Sequence, residues 1–242
     1  MALLSKEQLE ELKQFDAPTI CNAIEFFDIR PKTAGFMSAG MIQRTCKNQP
    51  MVGYAVTAKV SALHPGGAES LEQLMSYYSA VREMQDPTIA VIQDVDPFPV
   101  GSFWGEVQAT VHQSLGTVGT ITQGGVRDLE PVDQMGFGFF STHLLVSHGH
   151  TQVVESNCNV EVCGLTVRPG NLLFADCHGV VEIPHEIAAK LAEACRKAGE
   201  AELPMLEPCR AAIRAGRKPS DRELREWRLA MVQQRQAFMK DF

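Results

Sequence analysis

Between Gly105 and Asp128 the chain reads Gly-Glu-Val-Gln-Ala-Thr-Val-His-Gln-Ser-Leu-Gly-Thr-Val-Gly-Thr-Ile-Thr-Gln-Gly-Gly-Val-Arg-Asp, and few architectures accommodate such a run. Val107, Val111 and Leu115 recur at helical spacing, and Gly116 stands where a helix would stop. Thr117 to Thr122 is rich in β-branched residues, as a buried strand should be. Gln123-Gly124-Gly125 then forms a corner where the backbone can adopt conformations and approaches that a side chain would block. Arg127 and Asp128 follow at once. A cation and an anion at the C-terminal end of a strand occupy the place where α/β proteins hold ligands. The helix opening near Glu106 leaves the N–H groups of Val107 and Gln108 unpaired, and such donors suit a carboxylate.

The flanking chain supplies the remaining layers. Ser5 and Gln8 form a capping box for a helix to Phe15, and Asp16-Ala17-Pro18 restarts it with Ile20, Ala23, Ile24 and Phe27 on one face. Phe36 to Pro50 looks irregular. Tyr54, Val56, Ala58 and Val60 alternate as in a strand with one buried face. Glu69 to Met84 reads as a helix with Leu71, Leu74, Met75, Tyr78 and Val81 turned to the core. Thr88 to Gln93 is a short strand. Asp94 and Asp96 follow it, where metal binding competes with ordinary turn chemistry.

Beyond the central stretch, Leu129 to Met135 reads as a helix and Gly138 to Thr142 as a strand. On a strand spanning Val146 to Val154, His148 and His150 would share one face, a feasible metal geometry, but no third ligand is visible and a loop pair of solvated histidines is the favoured reading. Val160 to Val167, Leu172 to Ala175 and Val180 to Ile183 complete a strand-rich block. A helix from Pro184 places Ile187, Leu191 and Cys195 on one face, and a break is expected at Gly199 to Pro204. Ser220 and Glu223 cap a last helix to about Lys240, whose Leu224, Trp227, Met231 and Phe238 call for a packing partner. Strands alternating with helices make the chain α/β.

Its 242 residues suffice for a sizeable core, and a net charge of −7 without a basic run argues against nucleic acid as partner. No apolar run reaches membrane-spanning length, and the N-terminus lacks a signal-peptide core. Seven scattered cysteines without Cys-x-x-Cys spacing support neither a disulfide framework nor a zinc ribbon, so a reducing cytoplasm is the simplest setting.

Twenty residues separate Glu106 from the Arg127-Asp128 pair. An acid, twenty residues and Arg-Asp resembles the signature of the RraA-like family, which includes class II 4-hydroxy-4-methyl-2-oxoglutarate aldolases. Trp104-Gly105-Glu106, Gly125-Val126-Arg127-Asp128-Leu129, Val167-Arg168-Pro169-Gly170 and Asp176-Cys177-His178-Gly179-Val180-Val181 match in order and spacing. The resemblance covers roughly Pro18 to Pro184. It departs at Cys21-Asn22-Ala23-Ile24, where the family has Ser-Asp-Ala-Leu, and at Asn171, where the family has Asp. Asn22 therefore receives no catalytic role, and Asp176 matches the pattern with a role that stays open.

The resemblance implies a layered swivelling β/β/α domain, with N-terminal helices and a C-terminal helical extension over residues 185–242, assembled as a homotrimer or homohexamer with the site between subunits. It implies metal-dependent cleavage of 4-carboxylated 2-oxo acids, including oxaloacetate decarboxylation, through a pyruvate enolate. Asp128 would hold Mg²⁺ or Mn²⁺ directly or through water, and Arg127 would neutralise the enolate. Glu106 would hold water or relay a proton. Gly105, Arg127 and the amides of Val107 and Gln108 would contact substrate. The same family resembles non-catalytic regulators that bind a ribonuclease, the competing function. A Schiff-base aldolase using Lys59 is a third reading. A dinucleotide site is disfavoured because Gly116 and Gly119 follow a helix instead of a strand.

Overall fold

The computed structural model describes residues 3–38 and 40–242; Ala39, inside the stretch expected to be irregular, lies outside them. In chain order the elements begin with helices α1 (Lys6–Leu12) and α2 (Ala17–Ile24), strands β1 (Ile42–Gln43) and β2 (Met51–Ser61), and helix α3 (Ser70–Glu83). Then come β3 (Thr88–Asp94), α4 (Glu106–Ser114), β4 (Thr117–Val126), α5 (Leu129–Gln134), β5 (Gly138–Leu144) and β6 (Gln152–Ser156). Strands β7 (Val160–Val162), β8 (Leu165–Val167), β9 (Leu172–Asp176) and β10 (Gly179–Ile183) precede helices α6 (Ala188–Arg214) and α7 (Asp221–Phe238). Two compact units result: residues 35–185, and residues 1–34 together with 186–242.

The 35–185 unit is α/β. Its main sheet runs β1-β5-β4-β3-β2-β9-β10, with β6 also paired to β2. Strands β2 to β5 are mutually parallel neighbours, and parallel neighbours require crossovers. Helices α3, α4 and α5 are those crossovers. Tyr77, Val81, Ala109 and Val132 from these helices join Val56, Ala58, Ile92, Val126 and Phe139 of the sheet in one core. On the other face Ala55, Ile89, Val91 and Ile121 pack with Val160, Val162, Leu165 and Val167 of the β7–β8 hairpin. Hairpin, sheet and helices thus stack as β/β/α.

That layering corrects several expectations. Strand β2 is buried continuously from Met51 to Ala58 and does not alternate, because a parallel strand covered on both faces has no solvent side. In α3, Leu71 and Met75 are exposed, while Tyr77 and Val81 are buried. In α4 the buried residues are Ala109 and His112, and Val107 is 74% exposed. The expected Val146–Val154 strand is a turn followed by β6, and His150 donates its backbone N–H to Ala62 O. His148 and His150 are therefore an exposed loop pair, as the favoured reading had it, and share no strand face. Val160 to Val167 is a hairpin, turned at Cys163 and Gly164, which both have positive φ.

In the other unit both expected capping boxes form, Ser5 with Gln8 and Ser220 with Glu223, and Asp16 caps α2 by accepting the Thr19 N–H at 2.8 Å. The expected break at Gly199 to Pro204 does not occur. Helix α6 runs 27 residues through Pro204 and Pro208, carrying buried Ala194, Cys195, Ala198 and Ala201 across Gly199. It packs against α1, α2 and α7, and that burial outweighs the local penalty. Pro204 offers no N–H to Glu200 O, four residues earlier. Gln234 of α7 fills the gap, donating its Nε2–H to that carbonyl at 3.1 Å. Gln234→Ala is expected to cost about 1 kcal/mol, read as a lower denaturant midpoint at unchanged m. An unmoved midpoint would show the carbonyl needs no such partner.

Candidate active site

The site begins where β4 ends. The strand continues past Thr122 to Val126, with a register irregularity between Thr122 and Gly125 against β5, so the expected glycine corner lies within the strand. A Cβ at Gly125 would collide with the side chain of Leu145, and one at Gly124 would stand 3.0 Å from Asp94 Oδ2. Gly125 in particular allows a close approach that a side chain would block, and Gly124 sits in a tight spot. Trp104 then bridges Val126 in parallel, and Arg127 donates its N–H to Trp104 O at 3.0 Å. This short ladder brings the segment before α4 beside the end of β4, drawing together residues more than twenty apart in sequence.

Asp128 comes next, in the left-handed region at φ 57°, ψ 44°, which asparagine and aspartate tolerate better than other side chains. Its Oδ2 accepts the backbone N–H of Glu106 at 3.0 Å, satisfying one amide of the first turn of α4. Arg127 Nε lies 3.8 Å from the same oxygen. Gly105 permits this arrangement: a Cβ there would sit 2.5 Å from Asp128 Oδ2 and 3.1 Å from Arg127 Nε. Arg127 and Asp128 keep 35% and 38% of their side-chain surface exposed, so both remain reachable by a ligand. Glu106 is exposed as well. Ala109 N bonds to Gly105 O, which leaves the amides of Val107 and Gln108 without an intrahelical acceptor. Every residue expected at the site thus lies at this bend or on the first turn of α4.

Behind the bend is an aromatic anchor. Trp104 is buried against His112, Phe137 and Phe139, with ring centroids 4.5, 5.8 and 6.1 Å away. His112 lies 2.7 Å through Nδ1 from Gln108 O and 3.0 Å through Nε2 from the Tyr77 hydroxyl. The carbonyl can only accept, so Nδ1 carries the proton and Nε2 accepts from tyrosine. Burial depresses the His112 pKa to about 4, and the ring is neutral near pH 7. It ties α4 to α3 through a neutral bond. Ser102 is a further positioning residue, its hydroxyl 2.5 Å from Trp104 O and 2.7 Å from Gly125 O. Neither His112 nor Ser102 carries a sequence signature, because each acts through a partner distant along the chain.

Other candidates lie elsewhere in the hydrogen-bond network. Asp96 spends both carboxylate oxygens on Ser61 Oγ and Ala62 N–H, tying the ends of β2 and β3 together. Asp94 is buried beside Gly124, its carboxyl raised by desolvation while Oδ1 accepts the Asp96 N–H. Lys59 pairs with Glu155 at 2.7 Å, and that hydrogen bond raises the lysine pKa. A Schiff-base lysine requires the opposite shift. A cleft of about 430 Å³ lies between residues 44–49 and 129–136 and is lined by none of Glu106, Arg127 and Asp128. Complementary charges and amides without an intrahelical acceptor converge instead at the bend.

Residues 17–182 match a family model described as RraA-like, Aldolase/RraA. Protein DlpA of Legionella pneumophila is 31% identical over 85 residues, which is 34% of this chain but 14% of DlpA. A protein of Halalkalibacterium halodurans, whose given name proposes a 4-hydroxy-4-methyl-2-oxoglutarate aldolase, is 22% identical over 75% of this chain and 80% of its own length. A Streptomyces coelicolor structure described as an unusual member of the RNase ES inhibitor RraA protein family superposes with a TM-score of 0.64. It is 18% identical, covering 84% of this chain and 96% of that one, and shows the same fold. The chain belongs to the RraA-like family.

Proposed function

We propose that this protein is a divalent-cation-dependent carbon–carbon lyase. It would cleave 4-carboxylated 2-oxo acids by aldol cleavage of the 4-hydroxy-4-methyl-2-oxoglutarate type and by decarboxylation of oxaloacetate. One observation carries the reading. Asp128, held in a left-handed conformation, clamps the first turn of α4 beside Arg127 and Glu106, around a glycine with no room for a side chain. Unusual backbone geometry of this kind concentrates at functional sites.

The donor set fits a hard cation. Asp128 and Glu106 offer only oxygen, both are accessible, and a Mg²⁺-type ion keeps several waters and needs few protein carboxylates. Asp128 would hold it, with Glu106 reached through water. A divalent cation there supplies Lewis-acid polarisation of the substrate carboxylate and ketone oxygens.

The chain's own groups do the rest. The amides of Val107 and Gln108 bind the carboxylate next to the ketone at the positive end of α4. When the bond between C3 and C4 breaks, its electron pair moves toward the ketone oxygen. Arg127 presents a planar, permanently charged fork to that developing charge. Glu106 moves the proton, taking it from the 4-hydroxyl in aldol cleavage and returning one to C3. With oxaloacetate, carbon dioxide departs in place of the second carbonyl, and the proton delivered to C3 comes from water. Assembly as a trimer or hexamer in a reducing cytoplasm belongs to the same proposal.

A panel of 2-oxo acids assayed with Mg²⁺ or Mn²⁺, with and without EDTA, tests it. Pyruvate release that EDTA abolishes and borohydride does not trap is expected. Release of no pyruvate from any member, with co-purification of a ribonuclease, would favour the regulatory role instead.

A further inference from the structure

We propose that Asp176, Cys177 and His178 form a separate metal site, selective for a borderline divalent cation of the zinc class. Among the described residues they are the one group of three whose ligand atoms all lie within 4.8 Å of one another. They occupy the turn between β9 and β10, where Asp176 pairs with Gly179 and Cys177-His178 is the two-residue loop. Met51 at the start of β2 pairs with Ala175, so the turn stands at the N-terminal end of the parallel strands. The Arg127-Asp128 bend stands at their C-terminal end, about 30 Å away along the strands. The two sites are independent.

The separations from the imidazole nitrogen are those of a tetrahedral centre, and the sulfur and carboxylate lie within 4.8 Å of each other. Zinc bonds of about 2.3 Å to sulfur and about 2.0–2.1 Å to nitrogen or oxygen place sulfur about 3.6 Å from nitrogen, and nitrogen about 3.3 Å from oxygen. Cys177 Sγ lies 3.6 Å from His178 Nδ1, which in turn lies 3.2 and 3.3 Å from the two Asp176 oxygens. The loop is also braced: His178 donates its backbone N–H to Asp176 Oδ1 at 2.8 Å, and Gly179 follows at φ 131°. Cys177 and His178 face solvent, so an ion can enter. Binding displaces the thiol proton and any proton on Nδ1, and leaves the fourth position to water or an incoming ligand. A thiolate with an imidazole selects Zn²⁺, Co²⁺ or Ni²⁺ over Mg²⁺.

Cobalt reads this directly. Chelator-stripped protein, titrated with Co²⁺ in excess Mg²⁺, is expected to bind one Co²⁺ per chain with a near-ultraviolet thiolate-to-cobalt charge-transfer band, and added Zn²⁺ should displace it. Cys177→Ser should abolish the band. His178→Asn should weaken binding by more than the about 10–100-fold that losing an outer-shell partner costs, and Asp128→Asn should leave the thiolate band and its cobalt affinity unchanged. Circular dichroism confirms folding of each variant. No thiolate band, or a band that survives either Cys177→Ser or His178→Asn at wild-type affinity, overturns the site and leaves the lyase reading untouched.

Discussion

Arg127→Lys is expected to lower kcat/KM for a 4-carboxylated 2-oxo acid by about 10²–10³-fold, with little change in thermal stability. The stability side follows from exposure. The Arg127–Asp128 pair spans 3.8 Å with more than a third of each side chain in solvent, and such pairs contribute about 0–1 kcal/mol. The activity side follows from shape. Lysine keeps the charge but loses the rigid fork that meets a planar, charge-accumulating oxygen. A purely structural ion pair predicts little change in either, because lysine also pairs with aspartate. Steady-state kinetics beside a melting curve separates the two. A loss no larger than the roughly fivefold that about 1 kcal/mol allows would remove Arg127 from the chemistry.

Acidification is expected to unfold the protein through His112. Its folded pKa lies near 4 because burial disfavours the charged ring, whereas an unfolded histidine titrates near 6.5. Between these values the unfolded chain binds more protons, so stability present above about pH 6.5 is lost as pH falls toward 4. The full difference is about 3 kcal/mol, a large share of the stability of an ordinary domain. Carboxylates add their own slopes, so the test is a comparison. His112→Gln should flatten the decline of stability between pH 6.5 and 4, at the cost of a lower midpoint at neutral pH. Identical slopes in both proteins would show that His112 does not titrate on unfolding. In the folded protein the ring stays neutral down to about pH 4, so the anchor it gives the helix carrying Glu106 persists until then and activity lost through His112 above that pH tracks unfolding.

The sequence showed most clearly what is local. Both capping boxes and the Asp16 cap formed, because each is a contact between residues three apart. The bend was legible for another reason: an acid, a fixed spacing and an Arg-Asp pair are readable without coordinates, and a bridge from Trp104 to Val126 brings them together. What failed was long-range. Gly199 and Pro204 signal a break by any local rule, yet buried alanines and a donated bond from Gln234, thirty residues on, carry α6 through. Strand β2 looked half-buried until β7 and β8 covered its second face. Tyr77, His112 and Ser102 hold the site from behind with contacts that no periodicity marks.

In the proposed reaction Arg127 and Asp128 jointly receive a cation and an enolate-like ligand. Crystals soaked with Mn²⁺ and oxalate, measured at the manganese absorption edge, test it most directly. The anomalous peak is expected beside the Asp128 carboxylate, directly or through one water, with oxalate against Arg127 and the first turn of α4. Soaked crystals with that bend vacant would contradict it.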